Sequence, residues 1–292
     1  MGYTKAHFTL ELIKMFKFID LFSGIGGFHT GASKAGGKCV MASDINETAN
    51  QSYFANYGIK PRGDIYQIKS EDIPNFDLLC AGFPCQPFSQ VGPKGAFEDE
   101  RGLLIFQILR ILKDRQPKAF LLENVKGLQS IQGGLVFKTI VEELEKTGYN
   151  VQTKVLEAKD YGTPQLRKRL FFVGIRKDID AIFNFPEPVP LKYTFSEIMG
   201  GKTERDYSFT IRIGGRRSGI NNRFNWDCYL VDGKPRFITP EECLMLQGFD
   251  RDFKLCGNEN ERYAQVGNSV PTTIVYAIVK ELVKSGAFKK SE

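Results

Sequence analysis

Residues 16–28 read FKFIDLFSGIGGF. The apolar run 16–22 has the length and residue types of a buried strand. It stops at a glycine turn, 23–27, and a helix is expected over 28–35. A strand, a tight glycine turn and a helix start open an α/β unit, and the glycines let backbone approach a ligand closely. The pattern recurs downstream. Strands are expected over 38–43, 77–81, 119–122, 151–158 and 169–174, with a short strand end at 63–65. Helices are expected over 47–57, 103–113 and 137–147. Strands alternating with helices through residue 174 predict an α/β fold with a mainly parallel sheet.

Polar residues stand where these strands end. Asp44 closes the second strand, where an acidic residue can take the hydroxyls of a ribose. Asp64 closes the third stretch and could accept from an exocyclic amine. Asp20, Gly24, Gly26 and Gly27 with Asp44 point to a nucleoside-containing cofactor, without saying which; a dinucleotide site or a purely structural turn fits the same residues.

Residues 77–89 read DLLCAGFPCQPFS. A buried strand ends at Gly82, and Pro84 and Pro87 stiffen the loop that carries Cys85. Such a turn can present a nucleophile, although a lone cysteine is more often a small buried hydrophobe. Glu123 ends the neighbouring apolar strand, where an acid could serve that nucleophile. Gln165, Arg167 and Arg169 alternate, so an extended chain would put them on one face.

Composition narrows the class. The 292 residues are 42% hydrophobic and 25% charged, with a net charge of +6. This suits an ordinary soluble chain of one large domain, or one plus a small one. The mild positive charge permits a nucleic-acid partner without demanding one. Six cysteines without a CxxC pair and only two histidines argue against zinc, and no metal is expected. No apolar run reaches membrane-spanning length, and Glu11 and Lys14 interrupt the leader, so neither a membrane span nor a secretion signal is expected. The proline-rich run PEPVP at 186–190 marks a boundary. Residues 192–236 then carry nine Lys/Arg against five Asp/Glu. A short helix is expected over 240–246, a turn over 267–270, and a last helix over 271–283 with Val275, Ile278, Val279 and Leu282 on one face.

Taken in order, FIDLFSGIGGF (18–28), GFPCQPFS (82–89), ENV (123–125), QLRKR (165–169), RFITPEECLMLQGF (236–249) and QVGNSVP (265–271) resemble the motifs of the DNA (cytosine-5)-methyltransferases of bacterial restriction–modification systems. They span nearly the whole chain apart from the leader and 185–235. The resemblance implies an S-adenosylmethionine-dependent, Rossmann-like methyltransferase domain, 1–184 plus 265–292, and a small, mostly irregular or β target-recognition domain, 185–264. It implies S-adenosylmethionine held by Asp20, Phe22, Gly24, Ile25, Gly26, Gly27, Asp44, Ile45, Asp64, Ile65, Pro84, Leu104, Asn268 and Ser269, with Asn268 also bracing the hinge. Cys85, Glu123, Arg167 and Arg169 become the catalytic set: Cys85 adds to cytosine C6, Glu123 bonds N3 and N4, and Arg169 holds O2 with Arg167 beside it. The target base must leave the duplex to be reached. The expected DNA contacts are Gln86, Ser89, Gln90, Arg101, Gln165, Thr210, Arg212, Arg216, Arg217 and Arg223, although each arginine alone could equally be a phosphate clamp or a solvated charge. Trp226 is expected to pack the small core. The implied setting is a cytoplasmic monomer on double-stranded DNA, of bacterial or phage origin, with a cognate endonuclease acting separately. Methylation of tRNA by the same chemistry, a catalytically silent DNA-binding relative and a nicotinamide enzyme on the same turn are the competing readings.

Overall fold

The structure, a computed structural model, describes residues 16–84, 104–214 and 219–289. The first helix-flanked unit runs β1 (Lys17–Leu21), α1 (Gly27–Lys34), β2 (Lys38–Ser43), α2 (Glu47–Tyr57) and β3 (Leu78–Gly82). The chain continues through α3 (Leu104–Arg115), β4 (Ala119–Val125), α4 (Leu135–Lys146), β5 (Tyr149–Glu157) and β6 (Lys168–Arg176). These strands form one sheet in the order β2-β1-β3-β4-β6-β5. The pairs β1–β2, β1–β3 and β3–β4 are parallel, and β6 runs antiparallel to both of its neighbours. The sheet is therefore mainly parallel, with one reversed strand.

Alternation along the central strands feeds two cores. Ile19, Leu21, Leu79, Ala81, Phe120 and Leu122 face a cluster completed by α3 and α4. Phe18, Leu78, Cys80, Ala119 and Leu121 face the other way, toward α1 and the last helix. A sheet covered on both faces makes its strands read as continuous apolar runs, which is why β1, β3 and β4 are legible. The last helix, α8 (Thr272–Lys284), buries Ile274, Val275, Ile278, Val279 and Leu282 completely. Each such side chain contributes on the order of 2 kcal/mol. Helix α1 lies so close that a Cβ on Gly31 would stand 2.6 Å from the Val275 side chain.

The segment after β6 is built from short pieces: α5 (Phe195–Met199), the hairpin β7 (Cys228–Val231) and β8 (Lys234–Phe237), and α6 (Pro240–Leu246). Phe195, Ile198, Trp226, Tyr229, Leu244 and Phe249 form its core, which Ile25 and Ala49 join from the start of the chain. Trp226 is 1% exposed, and its Nε1 donates to the Gly214 carbonyl at 2.9 Å.

Two local expectations need correction. Residues 63–65 do not form a strand end. Asp64 instead accepts from the Tyr66 amide and caps a 3₁₀ turn, Ile65–Gln67, as Asp side chains do when they compete with a ladder. A helix unforeseen from the sequence, α7 (Glu259–Asn268), precedes the turn at Ser269. Its signal is the capping box of Asn258 and Glu261. Among the described residues, no helix is long and apolar enough to cross a membrane.

Candidate active site

The carboxyl ends of β1, β2, β3 and β4 open on one cavity of about 650 Å³. This is where open α/β sheets place their ligands. Phe22, with φ of 54°, and Gly24, with φ of 51°, turn the chain sharply after β1. The turn is held by Asp44, whose Oδ2 accepts from the Gly24 amide at 2.8 Å, while Oδ1 accepts from Asn46 at 2.8 Å. Ile45, next along, is 80% exposed and lines the cavity. Asp64 and the buried Ile65 close another side, Pro84 and Leu104 a third, and Asn268 and Ser269 a fourth. Gly27 completes the turn's contribution to the wall.

At the β4 end, Glu123 Oε1 accepts from Arg169 Nε at 2.9 Å, with both side chains nearly buried at 14% and 13% exposure. Antiparallel pairing makes this meeting: Glu123 stands opposite Phe171 and Val125 opposite Arg169, so the two side chains reach the cavity from adjacent strands. Burial pushes the Glu123 carboxyl above its ordinary range, and the positive charge of Arg169 opposes that rise. Beside it, Asn124 Nδ2 donates to the Phe83 carbonyl at 2.9 Å. Cys85, Gln86, Ser89, Gln90, Arg101, Arg216 and Arg217 lie outside the described residues.

Several expected contacts are placed elsewhere. Gln165 does not join Arg167 and Arg169 on the cavity wall, because 163–167 is not regular extended chain: Gln165 N–H donates to the Thr163 carbonyl and Arg167 N–H to the Gln165 carbonyl. Gln165 is fully buried, donating to the Leu246 carbonyl and accepting from the Ile211 amide, so it is not available to DNA. Arg167 lines the cavity but spends its guanidinium on the carbonyls of Ile211, Gly267 and Ser269, at 3.1, 2.9 and 2.8 Å. Burial works against its charge, as does nearby Arg169. It therefore ties residue 211 to residues 267–269, where Asn268, expected to brace a hinge, is exposed. Gln247 shares that task by donating to Val266 and Ser269. The Thr210 hydroxyl donates to the Leu166 carbonyl. Arg212 is exposed, and Arg223 stacks on the exposed Phe224 ring, 4.5 Å from its centroid.

Three of the expected cofactor residues do not line the cavity. Ile25 packs into the third core, where a short turn must point one side chain inward. Gly26 faces the rear of the turn, against Tyr57. Asp20 is completely buried within β1, and its place in the strand aims it at α1 rather than at the strand end. Residues not foreseen line the wall instead, among them Ser23, Asn46, Tyr66, Glu261 and Gln265. The Ser23 hydroxyl is buried there without a hydrogen-bond partner among the described residues.

The family model for C-5 cytosine-specific DNA methylases matches residues 16–216 and 200–284, across the residues that line the cavity. The chain belongs to this family. It is 38% identical over 303 residues to the type II methyltransferase M.DsaV of Dactylococcopsis salina, covering 92% of this chain and 86% of that one. It is 33% identical over 315 residues to the type II methyltransferase M.HhaI of Haemophilus parahaemolyticus, covering 94% and 96%. Among solved structures it resembles the Entamoeba histolytica methyltransferase EhMeth, with a TM-score of 0.74 at 20% identity over 93% of this chain and 98% of that one. It also resembles Spodoptera frugiperda DNMT2, with a TM-score of 0.73 at 21% identity over 91% and 99%. At those identities the two structures speak for the fold. As a member of this DNA methylase family, the chain has a Rossmann-like methyltransferase sheet with a small, mostly irregular and β segment inserted before its last helices.

Proposed function

We propose that this enzyme transfers the methyl group of S-adenosylmethionine to C5 of a cytosine in double-stranded DNA, through Cys85 and after the base has left the stack. The observation that carries the reading is the Glu123–Arg169 pair on the wall of the same cavity that Asp44 and the glycine turn enclose. Family membership supplies the substrate class.

The cavity suits the cofactor. Asp44 lines it at the end of β2, where an acidic residue can take ribose hydroxyls, exposed Ile45 offers an apolar face for a ring, and the Ser23 hydroxyl has no partner among the described residues. Bound there, S-adenosylmethionine supplies an electrophilic methyl group. Cys85, as thiolate, forms a bond to C6 and makes C5 nucleophilic. Glu123, whose burial favours its protonated form, donates to N3 and offsets the charge that develops on the ring. Arg169 orients Glu123 and reaches toward O2. After methylation a base removes the C5 proton, the C6–S bond breaks, and the thiolate leaves. In this reading residues 1–184 and 265–292 carry the chemistry and 185–264 the target recognition. Arg212 and Arg223 remain candidates to touch DNA, joined by Arg216 and Arg217.

A duplex carrying 5-fluorocytosine tests the mechanism, because its C5 substituent cannot leave. A covalent complex is expected with the natural chain and none with Cys85→Ser. A complex that persists in Cys85→Ser would sink the mechanism. Offering tRNA and duplex DNA in parallel tests the substrate, and transfer to DNA is expected.

A further inference from the structure

Behind the glycine turn lies a polar cluster for which the proposed chemistry has no use. It comprises His29 and Thr30 of α1, Tyr53 and Tyr57 of α2, Asp20 of β1 and Cys39 of β2. None of the six lines the cavity. The Tyr57 hydroxyl donates to the Gly26 carbonyl at 2.9 Å. A tyrosine hydroxyl has one proton, so Thr30 Oγ1, 2.7 Å away, must be the donor to Tyr57. Two hydroxyls in series thus end on one peptide oxygen. That oxygen also accepts from the Thr30 amide at 2.9 Å, so both of its lone pairs are used. Gly26 is left-handed, with φ of 89°, and a Cβ there would stand 2.4 Å from the Tyr57 ring. The ring itself is fixed by stacking on His29, 3.8 Å between centroids and 12° between planes.

Helix α2 therefore grips the turn twice. At its start Asn50 donates to the Asp44 carbonyl, and Asp44 holds the Gly24 amide. Near its end Tyr57 holds the Gly26 carbonyl from the opposite side. Between these two anchors lie the peptides of the turn, and Gly24 and Gly27 face the cavity.

We infer that Tyr57, seconded by Thr30, is a positioning residue for the cofactor: its hydroxyl sets the Gly26 peptide and, through it, the cavity-facing backbone of the turn. This rests on the cofactor assignment above. Tyr57→Phe keeps the ring and removes the hydroxyl. Isothermal titration of the full chain with S-adenosylhomocysteine should then show a dissociation constant raised by about threefold to tenfold, as for one lost hydrogen bond. The KM for DNA and kcat at saturating cofactor should stay within about twofold. Thr30→Val should move the constant the same way, and Thr30→Ser, which keeps the donor, should restore it even if Tyr57→Phe does not fold. Variants that bind as the natural chain does would overturn the inference, as would a KM for DNA that rises in step. A natural chain that binds no S-adenosylhomocysteine would overturn the cofactor assignment and this inference with it.

Discussion

Asn124 Nδ2 donates to the Phe83 carbonyl at 2.9 Å, joining the end of β4 to the chain two residues before Cys85. Asn124 is 2% exposed, and its own Oδ1 accepts from the Val125 amide at 2.8 Å, so the side chain is fixed at both ends. The link fixes the chain at Phe83, the approach to Cys85, relative to Glu123. Asn124→Ala should lower kcat by about tenfold or more, since misplacing a reacting group by an ångström is costly. Cofactor affinity should change little, and single-turnover methyl transfer beside a binding titration separates the two.

Glu123→Gln keeps the shape of the side chain and its reach to Arg169 while removing the carboxyl proton. Turnover is expected to fall by about a hundredfold or more, with cofactor affinity within about threefold. Equal losses in both measurements would assign Glu123 a structural part only.

Gly31→Val would place branched carbons where Val275 already stands. Overpacking of this kind costs about 1–3 kcal/mol. The melting temperature should drop by several degrees, and Gly31→Val combined with Val275→Ala should recover part of the loss.

His29 is buried, and burial pushes its imidazole down to about 4. Below the ordinary histidine range near 6.5 the unfolded chain takes up a proton that the folded chain refuses. Folding stability should therefore fall as pH drops from about 6.5 to about 4, by on the order of 3 kcal/mol from this residue. Asp20 works in the opposite sense. Burial first, then the nearby charge of Asp44, raises its carboxyl well above the usual range, offset in part by the His29 amide and the Tyr53 hydroxyl. Its contribution is greatest in acid and is lost as pH rises from about 4 toward its folded value. Replacing His29 by Gln should flatten the acid limb of a denaturation–pH curve, and replacing Asp20 by Asn should raise stability most on the neutral side.

Much of the sheet was legible because β1, β3 and β4 are buried on both faces and read as unbroken apolar runs. Helix α6 was read to the residue, since Thr239, Pro240 and Glu242 announce its start. The strand ends brought Asp44 and Glu123 to one edge for the same reason. The misplacements share a cause. Alternation of Gln165, Arg167 and Arg169 implies a common face only in extended backbone, and the tight turns in 163–167 leave Gln165 off the cavity wall that Arg167 and Arg169 share. That Arg167 serves carbonyls a hundred residues away, at Gly267 and Ser269, is a tertiary fact without a local signature. Asp20 offered the opposite trap: a polar residue beside a glycine turn suggests a ligand, yet in mid-strand its side chain is sent to the sheet face.

The contact of Gly31 with Val275 carries a consequence for synthesis. Helix α1 leaves the ribosome more than two hundred residues before the helix that covers it, α8. Until then α1 and its face of the sheet hold an uncovered apolar stripe, and the cavity lacks the wall that Asn268 and Ser269 provide. Closing so long a loop is slow. A nascent chain should therefore stay receptive to chaperones, and unable to hold a ligand in the cavity, until α8 has emerged.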